Sequence, residues 1–231
     1  MKAHPHRRPS AFTIVELVAV IAIASVLFVL ICWPRLGSRP SAPRQTAAVV
    51  VRNVVIAAKN FKEDYGHYPE IPAAQDGTPA NPYLSFGDQA EGRCKVSNAQ
   101  LLDVLRAIDR GPNAGHVLNP KQTKYYENKK ATDPRNPRDG FADGPEFNAS
   151  RQGQLLDPWG AQYCFLLETD QDELLDLAPF FTDLTGPHSA VHFGAVGFSL
   201  GKDNRIGGPG YPGRYRKDHS TEAPDDVVSW P

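Results

Sequence analysis

The apolar residues of this chain are concentrated in one nearly uninterrupted block near its beginning. Residues 12–33 contain 22 positions, of which 19 are apolar, and the exceptions are Thr13, Glu16 and Ser25. As a helix, a block of this length rises about 33 Å, whereas the hydrocarbon core of a bilayer is about 30 Å thick. The pattern therefore predicts a membrane-spanning helix with a charged residue, Glu16, close to its start.

A second pattern, with helical periodicity, follows a proline-rich joint at residues 34–44. From about Gln45, apolar residues recur at steps of three and four, which is typical of a helix with one buried face. These residues are Ala47, Val50, Val51, Val54, Val55, Ala58 and Phe61. Gly66 stands where the period stops, and glycine is common directly after a last helical turn. We expect an amphipathic helix over about 45–65.

The remainder of the chain alternates loops with short apolar runs. A helix is predicted over 97–110, with Ser97 as its N-cap. The sequence DPWG at 157–160 is a strong turn signal between two runs typical of strands, and residues 190–199 form another such run. The order of these elements predicts an α+β domain with a small antiparallel sheet. Residues 70–153 carry no functional signal that we can assign.

Composition and charge exclude some classes of function. Lys and Arg number 25 and Asp and Glu number 26, so the net charge is −1, and a basic surface for nucleic acid is excluded as the main feature. Hydrophobic residues make up 41% and charged residues 22%, which are values of a folded chain. No phosphate-binding glycine loop, nucleophile elbow or paired-cysteine metal motif occurs. We expect neither an enzyme nor a nucleic-acid partner.

The start of the apolar block, SAFTIVELV at residues 10–18, resembles the processing site of type IV prepilins and of type II secretion pseudopilins. In that family a membrane peptidase removes a short basic leader and N-methylates the Phe that becomes the first residue, and Glu stands fifth. The resemblance implies a leader over 1–11, cleavage between Ala11 and Phe12, and Glu16 as the fifth mature residue. Ala11 stands where the family usually has Gly.

Glu16 is expected to serve assembly. A carboxylate inside an apolar segment is costly and by default marks a functional position. The resemblance implies that Glu16 meets the N-terminal amine of a neighbouring subunit in a fibre. A buried pair of this kind adds little cohesion but fixes the register of the helices.

Three further stretches resemble the head of G-type major pseudopilins. They are FKEDYGHYP at 61–69, DPWGAQY at 157–163 and GFSLGKDN at 197–204. The resemblance implies a type IV pilin-like fold, with a long N-terminal helix whose first half spans the membrane, packed on a small antiparallel sheet with a C-terminal calcium loop. The implied parts are a leader at 1–11, a transmembrane and assembly helix at 12–33, the joint at 34–44 and a periplasmic head at 45–231.

The calcium loop is implied by residues 197–204 together with the tail PDDVVSW at 224–230. In the family these elements hold one Ca²⁺, an ion that takes roughly six to eight oxygen ligands from carboxylates and carbonyls. Carried over residue by residue, the ligands are the side chains of Asp203, Asp225 and Asp226 and the carbonyl oxygens of Leu200 and Arg205. Residues 206–223 enlarge the family's loop, and Ala223 replaces a family serine ligand. A turn without metal is the alternative.

The function implied by the resemblance is structural. The protein is expected to be a subunit of the type II secretion pseudopilus, a periplasmic fibre that drives protein export, and to be a single-pass inner-membrane protein before assembly. Its partners would be copies of itself, other pseudopilins, the prepilin peptidase, the membrane and the inner-membrane assembly platform. The alternatives are a minor pseudopilin, a type IV pilin for adhesion or DNA uptake, and a signal-anchored periplasmic binding domain.

The three cysteines leave one pairing question open. Cys32 lies in the apolar block. Cys94 and Cys164 either form a disulfide, as an oxidising compartment allows, or remain two separate thiols. The sequence alone does not decide between these alternatives.

Overall fold

The structure is a computed structural model, and it describes residues 14–32, 42–90, 93–181, 190–208, 211–212 and 226–230. The chain divides into two compact units, Met1–Pro40 and Ser41–Pro231. The first unit contains helix α1 (Ile14–Cys32). The second contains helices α2 (Ala42–Tyr65) and α3 (Asn98–Leu105) together with the described strands.

The strands are short. Two of them lie between α2 and α3 in the chain, and the others follow α3. In chain order they are β1 (Gln75–Thr78), β2 (Asn81–Phe86), β3 (Gly140–Phe141), β4 (Leu155–Leu156), β5 (Cys164–Glu168), β6 (Leu174–Asp176), β7 (Ala190–His192), β8 (Ala195–Ser199), β9 (Gly207–Gly208), β10 (Tyr211–Pro212) and β11 (Val227–Val228). Among the described residues, three two-stranded antiparallel pairs, β3 with β4, β6 with β7 and β9 with β10, are separate from one larger sheet.

Helix α1 corrects two of the predictions. It runs from Ile14 to Cys32, 19 residues, which corresponds to a rise of about 28 Å instead of about 33 Å for the predicted block. Over the residues that the structure describes, no helix combines the length and the apolar character needed to cross a membrane. The membrane-spanning first half of the predicted pilin-like fold was therefore wrong, as was the predicted single-pass location in the inner membrane.

Helix α2 confirms the amphipathic pattern and begins earlier than predicted. It starts at Ala42 instead of about Gln45, which is possible because Pro43 falls in the first turn, where its missing N–H has no intrahelical partner. Its buried residues are Ala47, Val50, Val51, Val54, Ala57, Ala58 and Phe61. Gly66 follows the helix at φ +83°, and its N–H donates to the carbonyl of Lys62 at 2.7 Å. Residues 33–41, between α1 and α2, lie outside the described residues.

The larger sheet has five strands in the order β1-β2-β5-β8-β11, and all of its neighbours are antiparallel. The second unit is therefore an α+β structure with an antiparallel sheet of five strands. Because side chains alternate across a strand, β5 and β8 contribute residues to both faces of the sheet. Both strands are buried along their whole length, so each face is covered.

Helix α2 covers one face of this sheet, and an aromatic cluster covers the other. The helix approaches Gly197 of β8 closely, because a Cβ atom there would lie 3.1 Å from Val51 Cγ1 of α2 and 2.6 Å from Phe165 Cδ1 of β5. The opposite face carries what we call the outer cluster: Tyr83, Cys94, Cys164, Leu166, Leu175, Leu177, Phe180, Phe181, Val196, Phe198, Leu200 and Trp230. The second unit is thus built in layers around the sheet.

Ion pairs organise the region around α3. Ser97 caps this helix by accepting from the N–H of Ala99 at 3.3 Å, as predicted, but the helix ends at Leu105 instead of near 110. Asp103 is almost fully buried and accepts two hydrogen bonds from Arg110, at 2.8 and 2.6 Å. Burial raises the pKa of Asp103, and the bonds from Arg110 oppose that rise. This pairing gives part of residues 70–153 a structural role that the sequence did not reveal.

Candidate functional site

Strand register brings the predicted C-terminal loop residues to one end of the sheet. β11 pairs with β8, and Val227 lies opposite Ser199. Asp226 precedes Val227 and Leu200 follows Ser199, so the side chain of Asp226 starts from the position beside Leu200. Two of the five residues predicted to hold calcium, Leu200 and Asp226, are therefore neighbours next to an ordinary antiparallel pairing. Asp225 lies outside the described residues.

Asp226 is nearly buried and fastens this loop. Its Oδ2 accepts from the N–H of Gly207 at 2.6 Å, and its backbone carbonyl accepts from Arg44 Nη2 of α2 at 3.1 Å. Asp203, on the loop between Leu200 and Gly207, accepts from the N–H of Arg205 through Oδ1 at 2.9 Å. These contacts hold the turn that carries Asp203 and Arg205 against the strand end that carries Asp226.

The loop encloses carboxylate oxygens. Oδ2 of Asp203 and Oδ1 of Asp226 are both inaccessible to solvent. A carboxylate oxygen removed from water is costly unless hydrogen bonds or a cation compensate its charge. Carboxylate and carbonyl oxygens are also the ligands that Ca²⁺ takes in proteins. The donor types at Leu200, Asp203, Arg205 and Asp226 therefore fit a calcium ion.

A buried aspartate from the DPWG turn is hydrogen-bonded to Ser199, the residue that precedes this loop. Asp157 is fully buried, and its Oδ1 accepts from the N–H groups of Trp159, Gly160 and Ala161 at 2.8–2.9 Å. Its Oδ2 accepts from the hydroxyl of Ser199 at 2.6 Å. Burial raises the pKa of Asp157, while these hydrogen bonds favour its ionised form and oppose the rise.

The bond from Ser199 to Asp157 links two stretches that sequence reasoning treated separately. The sequence predicted the DPWG turn and the strand ending at Ser199, but not their contact. Aspartate at the first position of a turn commonly accepts hydrogen bonds from the following N–H groups, and that signal was present. The hydroxyl that donates to the second carboxylate oxygen belongs to Ser199, 42 residues away, so no local sequence pattern could predict this bond.

The predicted assembly residues belong to the first unit. Glu16 lies in the first turn of α1, where the helix dipole favours a negative charge. Ala11 and Phe12, the predicted processing site, lie outside the described residues. Eight large apolar side chains among the described residues of α1 are exposed, namely Ile14, Val15, Leu17, Val18, Val20, Ile21, Ile23 and Leu27.

A cavity of about 230 Å³ lies where α2 ends, and sequence reasoning missed it. Lys62 and Glu168 form its charged wall, with 2.6 Å between Lys62 Nζ and Glu168 Oε1, and the N–H of Gln171 donates to Glu168 Oε2 at 2.5 Å. Lys62 Nζ also lies 4.9 Å from the ring centroid of Tyr68. Burial, followed by the charge of Glu168, raises the pKa of Tyr68.

Glu168 also belongs to an acidic cluster with Asp170 and Asp172. One carboxylate oxygen from each of the three lies within 4.8 Å of the others, a spacing that could hold a metal ion. Glu168 already pairs with Lys62, however, and Asp170 and Asp172 are exposed. The cluster lies at the opposite end of β5 from Cys164 and shares no residue with the predicted calcium loop.

Comparisons of the chain with models of protein families, with curated proteins and with solved structures find no match.

Proposed function

We propose that the protein is a structural subunit of a type II secretion pseudopilus, the periplasmic fibre that drives protein export, and that copies of it assemble through α1. The observation that carries the proposal is α1 itself, an almost wholly apolar helix of 19 residues with one acidic side chain in its first turn. The resemblance of residues 10–18 to a prepilin processing site supports the same role.

The exposed apolar side chains of α1 would be stabilised by contact with another apolar surface. Ile14 and Val15 are about four-fifths exposed, and six further large apolar residues of the helix are more than half exposed. A continuous apolar surface of this kind marks an interaction site, because water solvates it poorly. The α1 helices of other copies present the same surface, so a bundle of them buries it.

Glu16 would set the spacing of the copies in this bundle. Cleavage before Phe12 leaves a free amine at the start of the mature chain, four residues ahead of Glu16. A carboxylate on one copy and an amine on the next can pair only when the helices are displaced by a defined step, which fixes register. The prepilin peptidase, other pseudopilins and the assembly platform of the secretion system are the partners that this role requires.

Substitution of Glu16 tests the assembly role. Glu16→Ala is expected to lower the amount of fibre, measured by shearing and sedimentation from cells with an active secretion system, by about tenfold or more, because a lost register contact of about 1.4 kcal/mol per interface already costs a factor of ten. Ser25→Ala is the matched control, since Ser25 is the other polar side chain of α1 and donates only to its own helix, to Ala22 O at 2.8 Å.

Two results would contradict the proposal. One is a Glu16→Ala chain that forms as much fibre as the unmodified chain. The other is a mature chain whose mass begins at Met1 in cells with active prepilin peptidase, because the role requires a start at Phe12. The thermal midpoint of the second unit should be unchanged in Glu16→Ala, which separates an assembly defect from a folding defect.

We propose that Ca²⁺ binds in the C-terminal loop of this subunit. The carboxylates of Asp203, Asp225 and Asp226 and the carbonyl oxygens of Leu200 and Arg205 would hold it. The carboxylate and carbonyl oxygens of these residues support the proposal, as does the register that sets Asp226 beside Leu200. The ion would supply positive charge to a loop that otherwise gathers carboxylates, and would stabilise its fold.

Calcium removal gives the corresponding measurement. At Ca²⁺ about one hundred times its dissociation constant, the thermal midpoint should exceed that in excess chelator by about 5–10 °C. Asp226→Asn should abolish this difference. Asp172→Asn, in the acidic cluster, should preserve it and is the matched control. Equal midpoints with Ca²⁺ and chelator would refute calcium binding, and loss of the shift in Asp172→Asn alone would place the ion at Glu168 instead.

A further inference from the structure

Cys94 and Cys164 lie together in the outer cluster, although 69 residues separate them in the chain. Cys94 belongs to the loop between β2 and α3, and Cys164 is the first residue of β5. Both thiols are buried, with 3% of Cys94 and none of Cys164 exposed. The fold therefore brings two distant cysteines onto the same face of the sheet.

Backbone contacts explain why these two residues meet. Phe86 of β2 lies opposite Phe165 of β5, so the next residue, Gly87, lies beside Cys164. The approach is close, because a Cβ atom on Gly87 would lie 2.9 Å from the Sγ of Cys164. The loop then returns, since the N–H of Cys94 donates to the carbonyl of Asp88 at 3.1 Å.

The loop is held in this position from both sides. The N–H of Gly87 donates to the carbonyl of Val96 at 2.8 Å, and Arg93 forms an ion pair with Asp88 at 3.0 Å. These contacts hold the loop that carries Cys94 against the start of β5. The two thiols also interact directly, and a side-chain hydrogen bond with Cys164, together with burial, raises the pKa of Cys94.

We propose that Cys94 and Cys164 form a disulfide that fastens the β2–α3 loop to β5. This goes beyond the fibre role and does not depend on it. The oxidant is a second disulfide, such as oxidised glutathione or the active-site disulfide of an oxidoreductase. One cysteine sulfur attacks that disulfide and releases one thiol, and the other cysteine sulfur then attacks the mixed disulfide and releases the second. Two thiol protons and two electrons pass to the oxidant, which leaves as two thiols.

The burial of both sulfurs determines when the bond can form. Exchange requires a thiolate that the oxidant can reach. Both sulfurs are buried, and the pKa of Cys94 is raised, so the folded state hinders the exchange. The bond should therefore form during folding, or in states in which the β2–α3 loop has opened. Once formed, it is protected from reductants by the outer cluster.

The experiment refolds the full chain with oxidised glutathione or with excess reductant, in a mild detergent because α1 exposes apolar side chains. Oxidation should reduce the free thiols counted under denaturing conditions from three to one per chain. A non-reducing digest should yield one peptide pair joined through Cys94 and Cys164. The oxidised chain should melt about 5–15 °C above the reduced chain, because the crosslink restricts the unfolded state.

Cys32 provides the matched control. Cys32→Ala should retain the redox-dependent shift in melting temperature, whereas Cys94→Ala and Cys164→Ala should abolish it. Three free thiols after oxidative refolding, or a crosslink that includes Cys32, would overturn the proposal. Peptide mapping of the unmodified chain decides the question even where an alanine variant fails to fold.

Discussion

Replacing Asp157 with alanine is expected to lower the free energy of unfolding of the second unit by about 3–5 kcal/mol. The carboxylate is fully buried and accepts four hydrogen bonds, three from backbone N–H groups of the DPWG turn and one from the hydroxyl of Ser199. Alanine would remove the side-chain acceptor of all four bonds, although the N–H of Gly160 also donates to the backbone carbonyl of residue 157 at 3.1 Å. A partly buried donor left without an acceptor costs about 1–3 kcal/mol. Urea unfolding followed by fluorescence measures the loss.

Two further variants show whether the hydrogen bonds are the cause. Asp157→Asn keeps an oxygen for the three N–H groups and should cost less, about 1–2 kcal/mol. Asp133→Ala is the matched control, because Asp133 is exposed and its carboxylate accepts from the N–H of Arg135 at 2.9 Å. That control should stay within about 0.5 kcal/mol of the unmodified chain. A loss below about 1 kcal/mol in Asp157→Ala would disprove the role assigned to this residue.

Replacing Phe198 with alanine is expected to cost a similar amount, about 3–5 kcal/mol, for a different reason. Phe198 is fully buried in the outer cluster, where its ring centroid lies 5.7 Å from that of Phe180, 5.5 Å from that of Phe181 and 6.4 Å from that of Trp230. Removing the ring leaves a cavity among three aromatic side chains that cannot all close over it.

Phe193 supplies the comparison for Phe198. Its side chain is 37% exposed, and its ring centroid lies 5.8 Å from Lys59 Nζ, so Phe193→Ala should cost no more than about 1 kcal/mol. Calorimetry of both variants gives the difference directly. Equal midpoints for Phe198→Ala and Phe193→Ala would show that the outer cluster does not stabilise the sheet.

Local signals in the sequence identified several elements correctly. The three- and four-residue spacing of apolar residues located α2, Gly66 marked its end, and DPWG marked a turn. Each of these signals acts within about one helical turn or one β-turn of its own position, so a single sequence contains it in full. The apolar block likewise located α1.

Contacts between distant residues could not be predicted in the same way. The pairing of Lys62 with Glu168 spans 106 residues, and the contact between Cys94 and Cys164 depends on the register of β2 against β5. Strand register depends on how all residues of both strands pack, so it cannot be read from any single position in the sequence. For the calcium loop, the sequence supplied the residue types, while the position of Asp226 beside Leu200 comes from the pairing of β11 with β8.

The position of β11 at the edge of the sheet has a consequence for the order in which the protein folds during synthesis. Val227 completes the core under α2, and Trp230 completes the outer cluster on the other face. The bond from Arg44 to the carbonyl of Asp226 joins residues that are 182 positions apart. On the ribosome, α2 therefore appears long before the strand that closes its core. The two apolar clusters on either face of the sheet can be completed only after Trp230 has left the exit tunnel. Until then, chaperones or partial structure must keep the apolar face of α2 from aggregating.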